Sequence, residues 1–198
     1  MKAKKLSGSR IRNHSPLLTA PLDEAHPLTV SRPELLVNGS DRIFREMLHN
    51  ILAFSARIQE NRSRLGRYIG LSGTQYTILI SIAHMENEEV GIIQIAEHIH
   101  LSGAFVTIEV NKLVEAGLVK KEVNPHDRRR ILLHTTAKGR LSLKKLTEIQ
   151  VPVNDTIFRD ITHEQMQQLR RILPLLLHGS NASLRLMDTP EPLEASPK

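Results

Sequence analysis

Apolar residues recur at helical spacing through the middle of the chain, interrupted once by two short stretches that read as strands. Phe44, Leu48, Ile51, Ile58 and Leu65 fall on one stripe, with Met47 and Leu52 beside it, as on a long amphipathic helix. Ser40 or Asp41 can cap its start, and Gly66 and Gly70 mark its end. A second helix begins at about Ser72 and carries Tyr76, Leu79, Ile80 and Ala83. Two short helices follow and meet at His100–Ser102, with Ile95, Ala96, Ile99, Leu101, Val106, Val110 and Leu113 as the inward set. Gly117 fits a helix C-cap, and "LVKKEV" and "RILLHTT" are the two strands. Thr136 caps a further helix that passes Leu141 and Leu146 towards Pro152. Thr162 and Gln165 form a capping-box pattern before Met166, Leu169, Ile172, Leu173 and Leu176, on a helix expected to bend at Pro174.

The order is helix, helix, helix–turn–helix, β-hairpin, helix, helix. A helix–turn–helix followed at once by a hairpin is a winged helix, so the expected fold is mainly α with a small β-hairpin. The winged helix occupies about 72–136 within a folded body over 34–178. Residues 1–33 hold Pro16, Pro21, Pro27 and Pro33 with little periodicity, and read as a flexible basic arm. Residues 179–198 read as a flexible tail.

Composition narrows the chemistry. The 198-residue chain has no cysteine, which excludes disulfides, thiolate metal sites and a thiol redox switch. No apolar run approaches the ~18 residues of a membrane span, and the charged N-terminus lacks the apolar core of a signal peptide. A cytoplasmic protein with no membrane partner is expected. Among ten histidines no His-x₃-His pair occurs, and His98 and His100 are too close to share a helix face. No metal and no cofactor are therefore expected. There is no Gly-rich phosphate loop and no nucleophile elbow, so an enzyme is not expected.

The net charge of +6 is unevenly placed. Residues 101–145 carry ten Lys/Arg against four Asp/Glu, and residues 1–33 carry six against two. Such clustering suits either a polyanionic partner, for which double-stranded DNA is the candidate, or a solubilising surface. In a helix–turn–helix the N-terminal half of the second helix reaches base edges in the major groove. Its exposed face offers Ser102, Gly103, Thr107, Ile108, Asn111 and Lys112, with Ala104 between them. Asn111 suits adenine, Lys112 a phosphate, and Thr107 either. Between the strands lies "NPHDRRR", three consecutive arginines on a tight turn. Asp127 can accept hydrogen bonds from turn amides or pair with an arginine, leaving Arg128, Arg129 and Arg130 for a narrow minor groove.

From Leu101 to Gly139, "LSGAFVTIEVNKLVEAGLV" followed by "NPHDRRRILLHTTAKG" resembles the MarR (multiple-antibiotic-resistance regulator) family of winged-helix transcription factors. The family's Asp-x-Arg of the wing falls on Asp127 and Arg129, and its Thr and Gly opening the next helix fall on Thr136 and Gly139. The resemblance implies that Arg129 is the minor-groove residue, held by Asp127. Two departures stand out: Ile108 where an arginine is frequent, and Glu109 where an apolar residue is usual.

The resemblance further implies a homodimer built by helices at about 40–66 and 136–178, to which Leu173, Leu175, Leu176 and Leu177 add apolar surface. It implies release from DNA by a small-molecule effector, with aromatic acids and phenols as the class. His49, Arg57, Tyr76 and His84 are the candidate effector-binding residues on the two helices that would line the pocket. The function so read is a ligand-responsive repressor on a pseudo-palindromic operator. The alternative is a non-specific or architectural DNA-binding protein.

Overall fold

Four hydroxyls set where four helices begin. Ser72, Ser102, Thr136 and Thr162 each accept the amide three residues on, from Gln75 at 3.1 Å, Phe105 at 3.3 Å, Gly139 at 3.0 Å and Gln165 at 3.2 Å. Each such cap stabilises its helix by about 1 kcal/mol relative to alanine. At Ser72 and Thr162 the glutamine completes the box by accepting the cap residue's own amide, at 3.0 and 2.9 Å.

The structure is a computed structural model that describes residues 27–86 and 88–188. The expected basic arm lies outside the described residues except for 27–33, and so does the tail from 189 onward. Among the described residues the order is α1 (Arg42–Tyr68), α2 (Gly73–His84), α3 (Ile92–Ile99), α4 (Gly103–Glu115), β1 (Val119–Val123), β2 (Ile131–Thr135), α5 (Ala137–Ile157) and α6 (His163–Asp188). The strands pair antiparallel, from Val119 opposite Thr135 to Val123 opposite Ile131. This is the winged-helix order that the sequence predicts. The chain divides into two compact units, residues 1–61 and 62–198, and the division falls within α1.

In the first unit, Asn38 and Gly39 both take left-handed backbone angles in a tight turn that pairs Val37 with Ser40. Ser40 Oγ accepts the Arg42 amide at 3.2 Å. The buried Asp41 carboxylate accepts the Thr29 hydroxyl at 2.6 Å and amide at 2.8 Å, and pairs with Arg45 at 3.1 Å. The Thr29 hydrogen bonds, with the Arg45 charge added, hold the Asp41 carboxyl below the usual range. This strap is therefore complete above the ordinary carboxylate pKa and is lost as pH falls through the lowered one.

The hydrophobic core belongs to the second unit. Ile78, Leu79 and Ile82 of α2, Ile95 of α3, and Val106, Val110 and Leu113 of α4 pack with Val119 of β1, Leu133 of β2 and Leu146 of α5. Val90 extends the hairpin by accepting the Leu133 amide at 2.8 Å.

The structure corrects the expected pattern in four places. Gly66 does not end α1 but lies inside it and is buried, because a Cβ there would sit 2.7 Å from the Ser72 carbonyl oxygen. Gly70, with φ of +74°, makes the turn that follows the helix. Leu101 is exposed rather than inward, since His100 is left-handed and swings the next residue out of the helical stripe. Helix α5 continues through Pro152 and α6 through Pro174, and α6 runs past residue 178 to Asp188. Both prolines are exposed, so the carbonyl that each leaves without a helical donor can turn to water.

Gly139 tests how tightly the second unit is fitted. A Cβ there would lie 2.3 Å from the Leu118 carbonyl oxygen and 2.8 Å from Thr135 Cγ2. Alanine in a helix gains up to about 1 kcal/mol over glycine, whereas overpacking against backbone costs about 1–3 kcal/mol. Gly139→Ala should therefore destabilise the protein in urea denaturation. A raised midpoint would contradict this packing.

Candidate nucleic-acid interface

The left-handed His100 ends α3 and Ser102 starts α4, so the chain reverses within two residues. Val106, Val110 and Leu113 face the core, and the opposite side of α4 is left to solvent. That side carries Ser102, Gly103, Ala104, Ile108, Asn111 and Lys112, all exposed, with Thr107 half-buried. No atom lies within 4 Å of where a Gly103 Cβ would be, so the helix start is open to a close-lying partner. Ile108 presents its side chain 53% exposed. Thr107 donates its hydroxyl to the Gly103 carbonyl at 2.8 Å. Asn111 Oδ1 accepts Lys121 Nζ of β1 at 2.6 Å, and Lys112 Nζ reaches Glu109 at 2.7 Å.

The wing is organised by one buried asparagine. Asn124 accepts the amides of His126 at 2.8 Å and Asp127 at 3.3 Å on Oδ1, and donates Nδ2 to Glu89 at 2.9 Å. Asp127 accepts the Arg129 amide at 3.0 Å on Oδ1 and the Arg130 amide at 2.9 Å on its backbone oxygen. The turn is thus held by side-chain oxygens on backbone amides, and its arginine side chains are not needed to close it. Arg130 does turn inward, to the Glu89 carboxylate at 3.4 Å. Among the described residues the guanidinium groups of Arg128 and Arg129 make no hydrogen bond or ion pair, and both residues are exposed.

The hairpin and α4 share a joint. Thr136 Oγ1 donates to the Gly117 carbonyl at 2.7 Å, the Thr136 amide donates to that of Leu118 at 3.0 Å, and Lys138 Nζ reaches that of Ala116 at 2.7 Å. The carbonyls leaving α4 are satisfied by residues opening α5.

Residues 69–130 match the family model described as the MarR family. A Pseudomonas putida relative, the HTH-type transcriptional repressor IacR, is 27% identical over 123 residues, which are 62% of this chain and 72% of the relative. The fold is shared with the MarR protein from Peptoclostridium difficile, at 20% identity and a TM-score of 0.60, over 75% of this chain and 94% of that one. It is shared too with the S. aureus MepR–DNA complex, at 16% identity and a TM-score of 0.55, over 75% and 99% of the two chains. Over residues 69–130 the chain is similar to the MarR family. That family is one of transcriptional regulators, not of enzymes. Among the described residues no helix is long and apolar enough to cross a membrane.

The structure brings the α4 face and the wing tip into one unit, but not the residues expected to bind an effector. His49 and Arg57 lie exposed on α1 in the first unit. His84 is exposed at the end of α2, while Tyr76 is buried in the core of the second unit. Burial pushes the Tyr76 phenol up, with the Arg62 charge acting in the opposite sense, so the hydroxyl stays neutral. Tyr76 is thus a core residue in this structure, because it falls on the α2 stripe with Leu79 and Ile80.

The sequence assigns no role to Glu89, Asn124, Lys121 or Gln75, and marks Glu109 only as a departure. Glu109 was legible in part, since it sits three residues after Val106 on the inward stripe. Nothing in the spacing pairs Glu89 with Asn124, because the hydrogen bond spans 35 residues.

Glu89→Ala would leave the buried Asn124 Nδ2 without its acceptor and Arg130 with only the residue-89 carbonyl in place of the carboxylate. Amide exchange at His126 and Asp127 should then accelerate while the α2 and α4 core amides keep their protection. Unchanged exchange at the wing would show that Glu89 does not brace it.

Proposed function

We propose that this MarR-family regulator is a repressor that binds a pseudo-palindromic operator as a homodimer and leaves it when a small acid binds. The observation that carries the DNA reading is the pairing of an open α4 face with a braced wing that leaves Arg128 and Arg129 unengaged in the same unit. Residues 72–136 would read the duplex, α4 in the major groove and Arg129 in the adjoining minor groove, with Asp127 shaping the turn. Arg130 would serve chiefly as a brace. Support for this reading comes from the repressor name of the Pseudomonas relative and from MepR, a protein of this fold solved on DNA.

The homodimer reading rests on apolar side chains that the single chain leaves open. Leu173, Leu175, Leu176 and Leu177 of α6 are 45–71% exposed, and α6 has no buried residue. On α1, Leu48, Ile51 and Leu52 are exposed as well. Helices this apolar and this open fit association of a second copy through α1, α5 and α6. A two-fold dimer reads half-sites about one helical turn apart, roughly 10 bp. The effector would be a small aromatic acid, for which Arg57 and His49 offer donors to a carboxylate.

Fluorescence anisotropy at physiological salt, with a duplex selected from tiled genomic fragments beside an unrelated duplex of equal length, tests the reading. Specific repression predicts a preference of ~1000-fold or more. Equal affinity across all fragments would favour a non-specific DNA-binding protein instead. Arg129→Ala should weaken the selected duplex by roughly 1–3 kcal/mol. An unaltered affinity would remove Arg129 from the groove. Aromatic acids added to the preformed complex should lower the anisotropy, and a panel without effect would refute the effector class.

A further inference from the structure

Helix α4 buries a carboxylate on its inward stripe. Glu109 is 6% exposed, between Val106, Val110 and Leu113. An ionised carboxylate is costly to bury unless both oxygens are paired, and here both are. Oε2 accepts Gln75 Nε2 of α2 at 2.9 Å, and Oε1 accepts Lys112 Nζ at 2.7 Å. Gln75 is itself fixed, because its Oε1 accepts the Ser72 amide at 3.0 Å and its own amide donates to Ser72 Oγ at 3.1 Å.

The start of α2 is in turn pressed against the last turns of α1. A Cβ at Gly73 would lie 2.7 Å from Ser63 Oγ, and one at Gly66 would lie 2.7 Å from the Ser72 carbonyl oxygen. Arg62 adds a hydrogen bond to Thr77 at 3.1 Å. A continuous polar line therefore runs from the α1–α2 corner through Ser72, Gln75 and Glu109 to Lys112, on the face proposed to meet DNA. Apolar packing beneath α4 is non-directional and does not by itself fix the helix in rotation. A two-sided hydrogen-bonded carboxylate does.

We propose that Glu109 is a positioning residue that clamps the reading helix to the α1–α2 corner, setting both the seating of α4 and the direction in which Lys112 is presented. The proposal rests on the DNA-reading function above. It makes the corner and the reading helix one mechanical piece, so a displacement of α1 is passed to α4 through a hydrogen bond and not through packing alone.

The clamp can be broken without touching the cap. Gln75→Glu keeps the capping box, where glutamate serves as well as glutamine, but turns a second carboxylate on Glu109. The double variant Gln75→Glu/Glu109→Gln restores one donor and one acceptor with the direction reversed. Glu109→Gln alone, which can still accept from Gln75, controls for the lost Lys112 ion pair.

The readout is the ratio of affinities for a selected and an unrelated duplex, measured by anisotropy with thermal unfolding beside it. Gln75→Glu should lower the ratio about 3- to 30-fold, the range of coupling carried by a single side-chain contact. The double variant should return the ratio to that of Glu109→Gln. A purely structural role would lower the unfolding temperature and leave the ratio where it was. An unchanged ratio in Gln75→Glu, or a double variant no better than Gln75→Glu, would overturn the clamp. If Gln75→Glu does not fold, Glu109→Leu set against Glu109→Gln decides the matter, since only the second still accepts from Gln75: a lower ratio in Glu109→Leu supports the clamp and equality overturns it. A wild-type chain without preference between the duplexes would instead overturn the DNA-reading function, and this inference with it.

Discussion

The fold of the second unit turns on the joint at which α4, β1, β2 and α5 meet. Carbonyls of Ala116, Gly117 and Leu118 leave the end of α4, where a left-handed Gly117 reverses the chain and the Leu118 amide returns to the Leu113 carbonyl at 2.9 Å. Such carbonyls are obligatory acceptors, and burying them unpaired costs about as much as a lost hydrogen bond. Thr136 and Lys138 satisfy them, and Gly139 supplies the space that lets α5 come close enough to do so. The direction of the hairpin relative to the reading helix follows from that arrangement. A wing with no such joint would still be a hairpin, but its arginines would have no fixed place beside α4.

A second regularity is that polar side chains of the candidate interface are held by the chain itself. Lys112 is paired with Glu109, Asn111 with Lys121, and Arg130 with Glu89. The Asn111 and Arg130 contacts are exposed and so worth little to stability. They matter by fixing rotamers before a partner arrives, which reduces the entropy lost on binding. Arg128 and Arg129 are the exceptions, and they sit on a turn that is already rigid through Asn124 and Asp127. Cations at an organised tip are what a narrow groove of negative potential would select.

Most of the architecture was legible because it is written in local signals. The hydroxyl caps at Ser72, Ser102, Thr136 and Thr162, the Gln165 box and the Gly117 reversal each act within a few residues, and periodicity supplies the rest. The errors came where a long-range contact or the surroundings overrode a local rule. Gly66 looks like a terminator but serves close packing against Ser72, which spacing cannot reveal. Pro152 looks like a stop, yet the exposed proline leaves α5 continuous to Ile157. Tyr76 is buried among the core residues, and helical phase alone does not say how deep a stripe lies. Of the interface, the α4 face and the arginine turn were readable from the sequence. Glu89, Asn124 and Gln75 were not, and Glu109 stood out only as a departure without its partner, since polar pairs across 34 or 35 residues carry no periodic signature.

The central claim is that α4 and the wing of two copies read adjoining grooves of one duplex. Hydroxyl-radical and major-groove methylation footprints on a selected duplex, with the wild type and Arg129→Ala run side by side, test it most directly. The account predicts two major-groove patches about one helical turn apart, roughly 10 bp, flanked by minor-groove protection that fades in Arg129→Ala. A single uninterrupted footprint, with minor-groove protection indifferent to Arg129, would contradict it.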